Sequence, residues 1–390
     1  MRTLPDSASL DHLRRQAKDL LVVLRRVRPS ATLADAQASV AHEYGCESWT
    51  QLKAAAEEQR AAPAEIAPAE LVEALVLRYG LGRASGAMRR VERTWAGNVW
   101  ELEASGGRVV FTELFDYVRP EDIEIEAGLV ERAIAAGICA PAPIRTTAGA
   151  VIAPLNGSNW RAHHWFRLGP APTKPPSLRT AAAAGRVLAT LHILALPAPR
   201  PVVRWLTHRR PEQAWRVLVD RARDDGAAWG EALADAVPGF LSLDAVRDER
   251  DPNARAILSH AWPSPDAVRI AGREEVVVVG WEHASAIPPD WELGDALRAW
   301  SEGDDLELGA AAARSFLDAY RQLTGRPEEL ELSMFTSSVT ALLNWTATRV
   351  QIALTCEDAQ QRELAARNVP ALLKDPISLP QLERLLESLA

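Results

Sequence analysis

Three side chains with catalytic potential flank a short valine-rich hairpin in the second half of the sequence. His260 and Asp266 lie in LSHAWPSPDAVRI (258–270), which leads into the first strand, and Glu282 ends the segment EEVVVVGWE (274–282), which holds the second strand. Because a hairpin lays two strands side by side, residues entering the first strand lie next to residues leaving the second. An imidazole can serve as a general base, and Mg²⁺ prefers carboxylate oxygens. In the structural alternative, the histidine hydrogen-bonds the loop backbone and the two acids are solvated.

Tryptophan is abundant in the same region. The chain has 13 tryptophans, and four of them lie in or near the hairpin: Trp262, Trp281, Trp291 and Trp300. In one interpretation these indoles fill the core. In the other, Trp262 and Trp281 wall a pocket for a flat small molecule or a peptide, where Asp266, Glu282 and Glu113 would favour a cationic ligand.

The strands and helices that would position these residues can be predicted from the spacing of apolar residues and from the residues typical of turns. Alternation predicts strands at 97–104 and 107–115, joined by a turn at Gly106-Gly107, and further strands at 149–155 and 160–168. The hairpin near the three side chains should turn at Ala271-Gly272-Arg273. Helical patterns cover the remaining segments: 69–81, 121–137, 178–196, 211–236, 292–323 and 333–390.

The first 60 residues predict a separate three-helix module. Apolar residues recur at helical spacing after residue 8, and Ser48 to Gln51 match a capping box that opens a third helix. The segment resembles a helical module that often precedes unrelated domains in bacterial proteins, which implies docking to a partner protein or a structural role. We therefore expect the module at 1–60, a Pro/Ala linker at 61–70, a mixed α/β lobe at 71–170 and a mainly helical lobe at 171–390.

Composition is that of a soluble globular protein, with 390 residues of which 47% are hydrophobic and 25% charged. The net charge of −8 argues against a nucleic-acid ligand, and the basic cluster His208-Arg209-Arg210 is expected to be solvated surface. Cys46, Cys139 and Cys356 are too far apart in sequence for a metal motif, which favours a reducing cytoplasm. Neither a signal peptide nor a membrane span is evident in the sequence.

Residues 70–390 resemble the aminoglycoside phosphotransferase family, which implies an α+β fold with two lobes, like that of protein kinases. The order of four segments along the chain is more specific than any one of them. They are EAGLVERAIAAGICAPAPI (126–144), AGRVLATLHILALP (184–197), ILSHAWPSPDAVRI with the following hairpin and helix (257–300), and RSFLDAYRQLTG (314–325).

The resemblance places the family's catalytic loop, roughly H-G-D-x-x-x-x-N, on residues 260–267. His260 keeps the histidine, but Trp262 stands at the aspartate position and Ala267 at the asparagine position. The metal-binding acid that follows the valine strand in the family falls on Gly280. An indole, a methyl group and a glycine offer no oxygen ligand to Mg²⁺.

In the first lobe the family's phosphate-binding cation falls on Thr112, or on Glu113 if the register slips by one. Glu126, or Glu124, keeps the acid of the next helix, and its cationic partner is expected to be absent. Glu292 stands where the family has a structural aspartate. Removing one electrostatic or acid–base element commonly costs a factor of about 10²–10⁴ in rate, so several losses together predict no useful transfer from ATP.

The leading prediction is a phosphotransferase-like protein without metal or nucleotide cofactor that binds a small molecule or peptide in the cleft between its lobes. Such a protein would act in a bacterial biosynthetic or antibiotic-resistance pathway. Two alternatives remain open, so whether the chain is an enzyme is not decided by the sequence. In one, His260, Asp266 and Glu282 catalyse a reaction other than phosphoryl transfer; in the other, the phosphotransferase ligands have moved to new positions.

Overall fold

The structure is a computed structural model that describes residues 13, 17, 32–43, 46, 48–54, 65–94, 96–271, 275–303, 305–325, 329–374 and 377–390. The chain forms two compact units. One consists of Met1–Glu131 with Pro141–Phe166, and the other of Arg132–Ala140 with Arg167–Ala390.

The first unit is built on a six-stranded antiparallel sheet. Its strands are β1 (Arg89–Arg93), β2 (Gly97–Ala104), β3 (Gly107–Leu114), β4 (Pro143–Ile144), β5 (Ile152–Leu155) and β6 (Ser158–His164). Their order is β1-β2-β3-β6-β4, and β5 also pairs with β6. The predicted hairpin of β2 and β3 is confirmed, with Ala104 opposite Gly107. Gly107 has a φ of 114°, a conformation that favours glycine.

The register between β3 and β6 decides which side chains share a face of this sheet. Thr112 lies opposite Arg161, and Glu113 lies opposite Trp160. Since side chains alternate along a strand, Arg161 and Trp160 point to opposite faces. Trp160 belongs to the apolar core that includes helix α2 (Ala69–Arg78), whereas Arg161 is bonded to helix α3 (Pro120–Ala135).

Nine α-helices described in the second unit form two apolar cores. The helices are α4 (Leu178–Leu194), α5 (Arg204–Thr207), α6 (Glu212–Asp224), α7 (Gly230–Ala245), α8 (Pro289–Trp300), α9 (Leu306–Thr324), α10 (Thr336–Thr355), α11 (Ala359–Lys374) and α12 (Leu379–Leu389). One core lies mainly between α4, α8 and α9, and the other between α6, α7, α10, α11 and α12. Gly185 lets α4 approach α9 closely, because a Cβ there would lie 2.1 Å from the Phe316 carbonyl oxygen.

Two small antiparallel sheets in the second unit carry the segment of chemical interest. Strand β7 (Ile257–Ser259) pairs with β10 (Ser285–Ile287), and β8 (Val268–Ala271) pairs with β9 (Glu275–Val278). The valine-rich hairpin is therefore confirmed as β8 and β9. Of its predicted turn, Gly272 and Arg273 lie outside the described residues.

The N-terminal segment is described in part. Helix α1 (Leu33–Glu43) lies within it, and Leu13, Ala17, Val40, Ala41 and Leu52 form a small buried cluster. Most of the first predicted helix and residues 61–64 of the predicted linker lie outside the described residues. The rest of the predicted linker is partly structured, since Ile66 bridges to Arg89 and α2 begins at Ala69. The assignment of a three-helix module at 1–60 stays a prediction.

The mixed helix and sheet architecture confirms the predicted α+β class, and each of the two long helical segments contains several helices. The segment 292–323 holds parts of α8 and α9, and the Asp305 carboxylate caps α9 by accepting hydrogen bonds from the Glu307 and Leu308 amides. The segment 333–390 contains three helices, which end and begin near Cys356 and residue 377.

Candidate functional site

The loop between β7 and β10 brings the two halves of the candidate site together, as the hairpin geometry predicts. A single turn of 3₁₀ helix (Pro265–Ala267) leads into β8, and another (Trp281–His283) follows β9. The Val279 amide donates to the Ala267 carbonyl at 2.9 Å. A Cβ built on Gly280 would lie 3.8 Å from both the Ala267 Cβ and the His260 ring. Positions 260, 267 and 280 are therefore neighbours.

His260 is the buried centre of this loop. Its Nε2 lies 2.8 Å from the Val279 carbonyl oxygen and must donate to it, since a carbonyl only accepts. Its Nδ1 then accepts from the Trp262 amide at 3.3 Å. Burial lowers the pKa of His260, although the carbonyl contact acts in the other direction. Both ring nitrogens are occupied in a neutral imidazole, which is the arrangement that the structural alternative predicts.

The two acids of the candidate site differ in their surroundings, and Glu282 is near enough to act electrostatically on His260. The Asp266 carboxylate is exposed and lies 3.1 Å from the Lys174 ammonium, which is also 3.9 Å from Glu302. Glu282 lies in the 3₁₀ turn after Gly280, between Trp281 and His283. The predicted roles of Asp266 and Glu282 in catalysis stay predictions.

Three of the four tryptophans in this region are buried and hold the loop in place. The indole N–H of Trp281 donates to the Val278 carbonyl at 3.0 Å, and that of Trp300 donates to the Pro263 carbonyl at 2.8 Å. The indole N–H of Trp291 donates to the Asp248 carboxylate at 3.1 Å. Trp281 also packs edge-on against the His260 ring at 4.9 Å. The core interpretation therefore fits these three residues, including Trp281, which the sequence offered as a ligand wall.

Trp262 differs from them because half of its surface is exposed. Its ring stacks on His283 with centroids 5.0 Å apart and an interplanar angle of 26°. Trp262 thus presents an indole face at the position where the resemblance places a catalytic aspartate. Of the aromatic residues offered as ligand contacts, Trp262 is the one that a ligand can reach.

A buried hydrogen-bond chain fixes the backbone of the loop. Glu292 on α8 is fully buried, and its two carboxylate oxygens bind His192 Nε2 at 2.9 Å and the Ala261 amide at 2.7 Å. His192 Nδ1 continues the chain to the Tyr320 hydroxyl at 2.8 Å. Burial by itself would raise the pKa of Glu292, but the hydrogen bonds from His192, Ser259 and Ala261 lower it on balance. Glu292 is therefore a carboxylate with a structural role, as the resemblance implies.

Ala261 adopts a backbone conformation that ordinarily needs glycine. Its φ is 57°, in the left-handed region, where a Cβ costs about 1–2 kcal/mol. The corresponding position of the family loop is the glycine of H-G-D. The Glu292 carboxylate on the Ala261 amide thus stabilises a strained residue.

We expect Ala261→Gly to raise the free energy of unfolding by about 0.5–1 kcal/mol, because it removes this strain at some cost in backbone entropy. Chemical denaturation of the full chain measures the change. Ala311→Gly, inside α9, is the matched control and should destabilise by about 1 kcal/mol. Equal losses in both variants would show that Ala261 carries no strain.

The first unit corrects one expectation drawn from the sequence, that Glu126 lacks a cationic partner. Arg161 of β6 places Nη1 2.7 and 2.8 Å from the two Glu126 carboxylate oxygens, and both residues are buried. Thr112 lies directly opposite Arg161 in the sheet. A buried cation is therefore paired with Glu126 from the strand next to Thr112.

Glu113 and Glu124 have other partners in the first unit. Glu113 accepts hydrogen bonds from Asn98 and Ser158 at 3.0 and 3.1 Å, on the face of the sheet opposite to Arg161. Glu124 accepts from the Val151 amide at 2.8 Å and from Arg145. Glu126, not Glu124, is therefore the acid paired with the buried cation, and Glu113 does not share a face with it.

The residues that the resemblance places at the family's catalytic and metal positions do not fit Mg²⁺. Trp262, Ala267 and Gly280 present an indole, a methyl group and no side chain, and none of these supplies oxygen. Within the part of the chain that the structure describes, no group of three or more His, Cys, Asp or Glu residues is arranged to hold a metal ion.

Comparisons with known proteins agree with this fold. A sequence profile described as the phosphotransferase enzyme family matches residues 87–328, so the chain belongs to that family. A homoserine kinase of Methylobacterium nodulans is 28% identical over 281 residues, which are 67% of this chain and 78% of that protein.

Solved structures resemble the chain at the level of the fold. A spectinomycin phosphotransferase in complex with ADP and spectinomycin superposes with a TM-score of 0.58 at 13% identity, covering 84% of this chain and 99% of that one. An amicoumacin kinase in complex with AMP-PNP and Ca²⁺ gives a TM-score of 0.53 at 14% identity, covering 80% of this chain and 96% of that one.

Among the described residues, no helix is both long and apolar enough to cross a bilayer.

Proposed function

We propose that this member of the phosphotransferase family binds a small polar molecule without transferring phosphate from Mg²⁺-bound ATP. One observation carries the proposal: hydrogen bonds hold the His260 ring and the Ala261 backbone of the loop in place, while positions 262, 267 and 280 offer no oxygen ligand. Trp262 supplies an exposed aromatic face instead, which suits a flat ligand. Loss of several catalytic elements at once leaves little rate enhancement.

Kinases among the relatives suggest the ligand class and setting. Homoserine, spectinomycin and amicoumacin kinases are named for small polar molecules. We extend that class to this chain as a ligand for sequestration or delivery in a bacterial biosynthetic or resistance pathway in the cytoplasm. The N-terminal segment would then dock a partner protein. Recruitment of the site for a reaction other than phosphoryl transfer is the alternative, although the occupied nitrogens of His260 argue against that residue as its base.

A second candidate function is favoured by the Arg161–Glu126 pair. Arg161 pairs with Glu126 from the strand next to Thr112, which is where a relocated phosphate-binding cation would stand. A phosphotransferase whose other ligands have also moved would bind nucleotide in spite of Trp262, Ala267 and Gly280. Nucleotide binding therefore separates the two candidates.

We expect ATP with Mg²⁺ at millimolar concentration to leave the melting temperature of the protein unchanged, because positions 262, 267 and 280 offer the ion no oxygen ligand. A ligand that did bind the native state would stabilise it by RT ln(1 + [L]/Kd), so its shift would grow with the logarithm of the ligand concentration. The restoring variant Trp262→Asp/Ala267→Asn/Gly280→Asp is the matched comparison. Aspartate tolerates the left-handed backbone of Gly280, where φ is 78°. This variant should gain an Mg²⁺-dependent shift.

A concentration-dependent shift of the unmodified protein would support the relocated-ligand candidate and contradict the leading one. Phosphate release or transfer to a panel of amino alcohols and aminoglycosides, measured with labelled ATP, gives the corresponding test of catalysis. The Arg161→Met variant gives the background rate of phosphate transfer. A faster rate of phosphate transfer by the unmodified protein would contradict the leading proposal, independently of the thermal measurement.

A further inference from the structure

A cavity lined by three arginines and three acids lies in the second unit, away from the hairpin. It has a volume of about 200 Å³ and is bounded by the loop that follows α5, by residues 247–252 after α7, and by one face of α10. The inner wall contains the buried residues Arg247, Trp291, Thr336 and Thr340. A water molecule occupies about 30 Å³ of liquid, so the cavity has room for a small organic ion.

Arg247 is the residue on this wall whose bonding is incomplete. Its side chain is 2% exposed, its Nη1 donates to the Thr340 hydroxyl at 2.5 Å, and its Nη2 lies at ion-pair distance from Asp244. Its Nε and Nη2 nevertheless have no hydrogen-bond acceptor with suitable geometry among the described residues. Other arginines of the chain also have such an Nε, but Arg247 has two such atoms on the wall of a cavity. Buried donors of this kind normally have an acceptor.

The basic cluster His208-Arg209-Arg210 adds positive charge at the same place. Arg209 lines the cavity, and its Nη2 donates to the Arg247 carbonyl at 3.4 Å. Arg210 is partly buried, and its Nε likewise has no acceptor among the described residues. Burial, with the charges of Arg204, Arg210 and Arg247, lowers the pKa of His208, and burial lowers the pKa of Arg247 to about 10. The positive charge of this half-buried cluster therefore comes from Arg209 and Arg210, and not from His208.

The acids near the cavity are already used by other groups. Asp248 accepts from Arg250, Arg255 and the Trp291 indole, and Asp290 pairs with the same two arginines. Glu249 is exposed and pairs with Arg209 at the outer edge. Asp251 accepts from the Asn253 amide at 3.0 Å. The unsatisfied groups that face the inner cavity are thus donors on cations.

We propose that this cavity is a binding site for the carboxylate or phosphate group of a small molecule, held by Arg247 and flanked by Arg209. A guanidinium binds such oxyanions through paired N–H donors, and the fit is strongest where water is excluded. The site shares no residue with positions 112, 262, 267 or 280. It can therefore operate whether or not the protein transfers phosphate, and its failure would leave the proposed function untouched.

The site is tested by titration calorimetry with two probes, inorganic phosphate and malonate. The ionic strength is held constant and the probes are kept at millimolar concentrations, where general salt effects on the stability of the protein are small. We expect saturable binding of at least one of these probes. Preference for phosphate or for malonate identifies which oxyanion the site takes. Absence of saturable binding by both probes would overturn the proposal.

Variants locate the binding on the cavity wall. Arg247→Met should weaken it at least tenfold, and Thr207→Glu, which places a carboxylate at the cavity edge, should do the same if Arg247→Met fails to fold. The matched control is Arg223→Met on α6, an exposed arginine paired with Glu231, which should bind as the unmodified protein does. Equal affinity in Thr207→Glu and Arg223→Met would contradict a site at this cavity.

Discussion

Replacing Glu292 by alanine is expected to lower the free energy of unfolding by about 3–5 kcal/mol, the range found when one partner of a buried ionic pair is removed. The reason is that His192 and the Ala261 amide both lose their acceptor in a site closed to water. Urea denaturation of the full chain, followed by circular dichroism, measures the change. The milder variant Glu292→Gln keeps the shape and one acceptor oxygen, and should lose about 1.5–3 kcal/mol.

The same residue gives a pH dependence with a definite sign. Because the pKa of Glu292 is lower in the folded than in the unfolded protein, its contribution to stability is complete above the ordinary carboxyl range and declines as the pH falls through the lowered value. The unmodified protein should therefore lose more stability in acid than Glu292→Gln does.

If the free energy of unfolding of Glu292→Ala were within about 1 kcal/mol of that of the unmodified protein, the buried hydrogen-bond chain would not stabilise the loop.

Arg161→Met should also destabilise the protein by about 3–5 kcal/mol, because it leaves the Glu126 carboxylate buried without its partner. The double variant Glu126→Leu/Arg161→Met should recover most of this loss, since apolar residues of similar size often replace a buried ion pair without cost. A double-mutant cycle on unfolding free energies gives the coupling directly.

The matched control for this pair is Arg145→Met. Arg145 forms an ion pair with Glu131 in the same region, at 2.7 Å, but both side chains are more than a third exposed. Exposed pairs of this kind contribute about 0–1 kcal/mol. Similar losses in Arg145→Met and Arg161→Met would contradict the assignment of Arg161 as the buried partner of Glu126.

Elements with a clear period could be predicted from the sequence. The hairpin of β2 and β3 and the hairpin of β8 and β9 have alternating or valine-rich strands, and both are found where the pattern places them. Strand β1, with the sequence RRVER, was missed because three of its five residues are arginine and a fourth is glutamate. Charged residues are common on edge strands, which carry little periodic signal.

The partners of the site residues could not be predicted, because they depend on register between distant segments. Arg161 meets Glu126 across 35 residues, and only the pairing of β3 with β6 places it opposite Thr112. The hydrogen bond from Trp300 to Pro263 likewise needs α8 to fold back onto the loop. Nothing local to Trp262 and Trp281 distinguishes the exposed indole from the buried one. The 3₁₀ turn after Gly280 decides that difference.

The hydrogen-bond chain from Tyr320 through His192 and Glu292 to Ala261 has an evolutionary consequence. It sets the path of the loop without using the side chains at 262, 267 or 280. Position 262, with its half-exposed side chain, can therefore accumulate substitutions while selection for folding alone keeps the backbone around it, whereas position 280 is restricted to residues that tolerate a φ of 78°. A lineage with this arrangement can lose or replace its chemistry one residue at a time and still produce a stable protein at each generation.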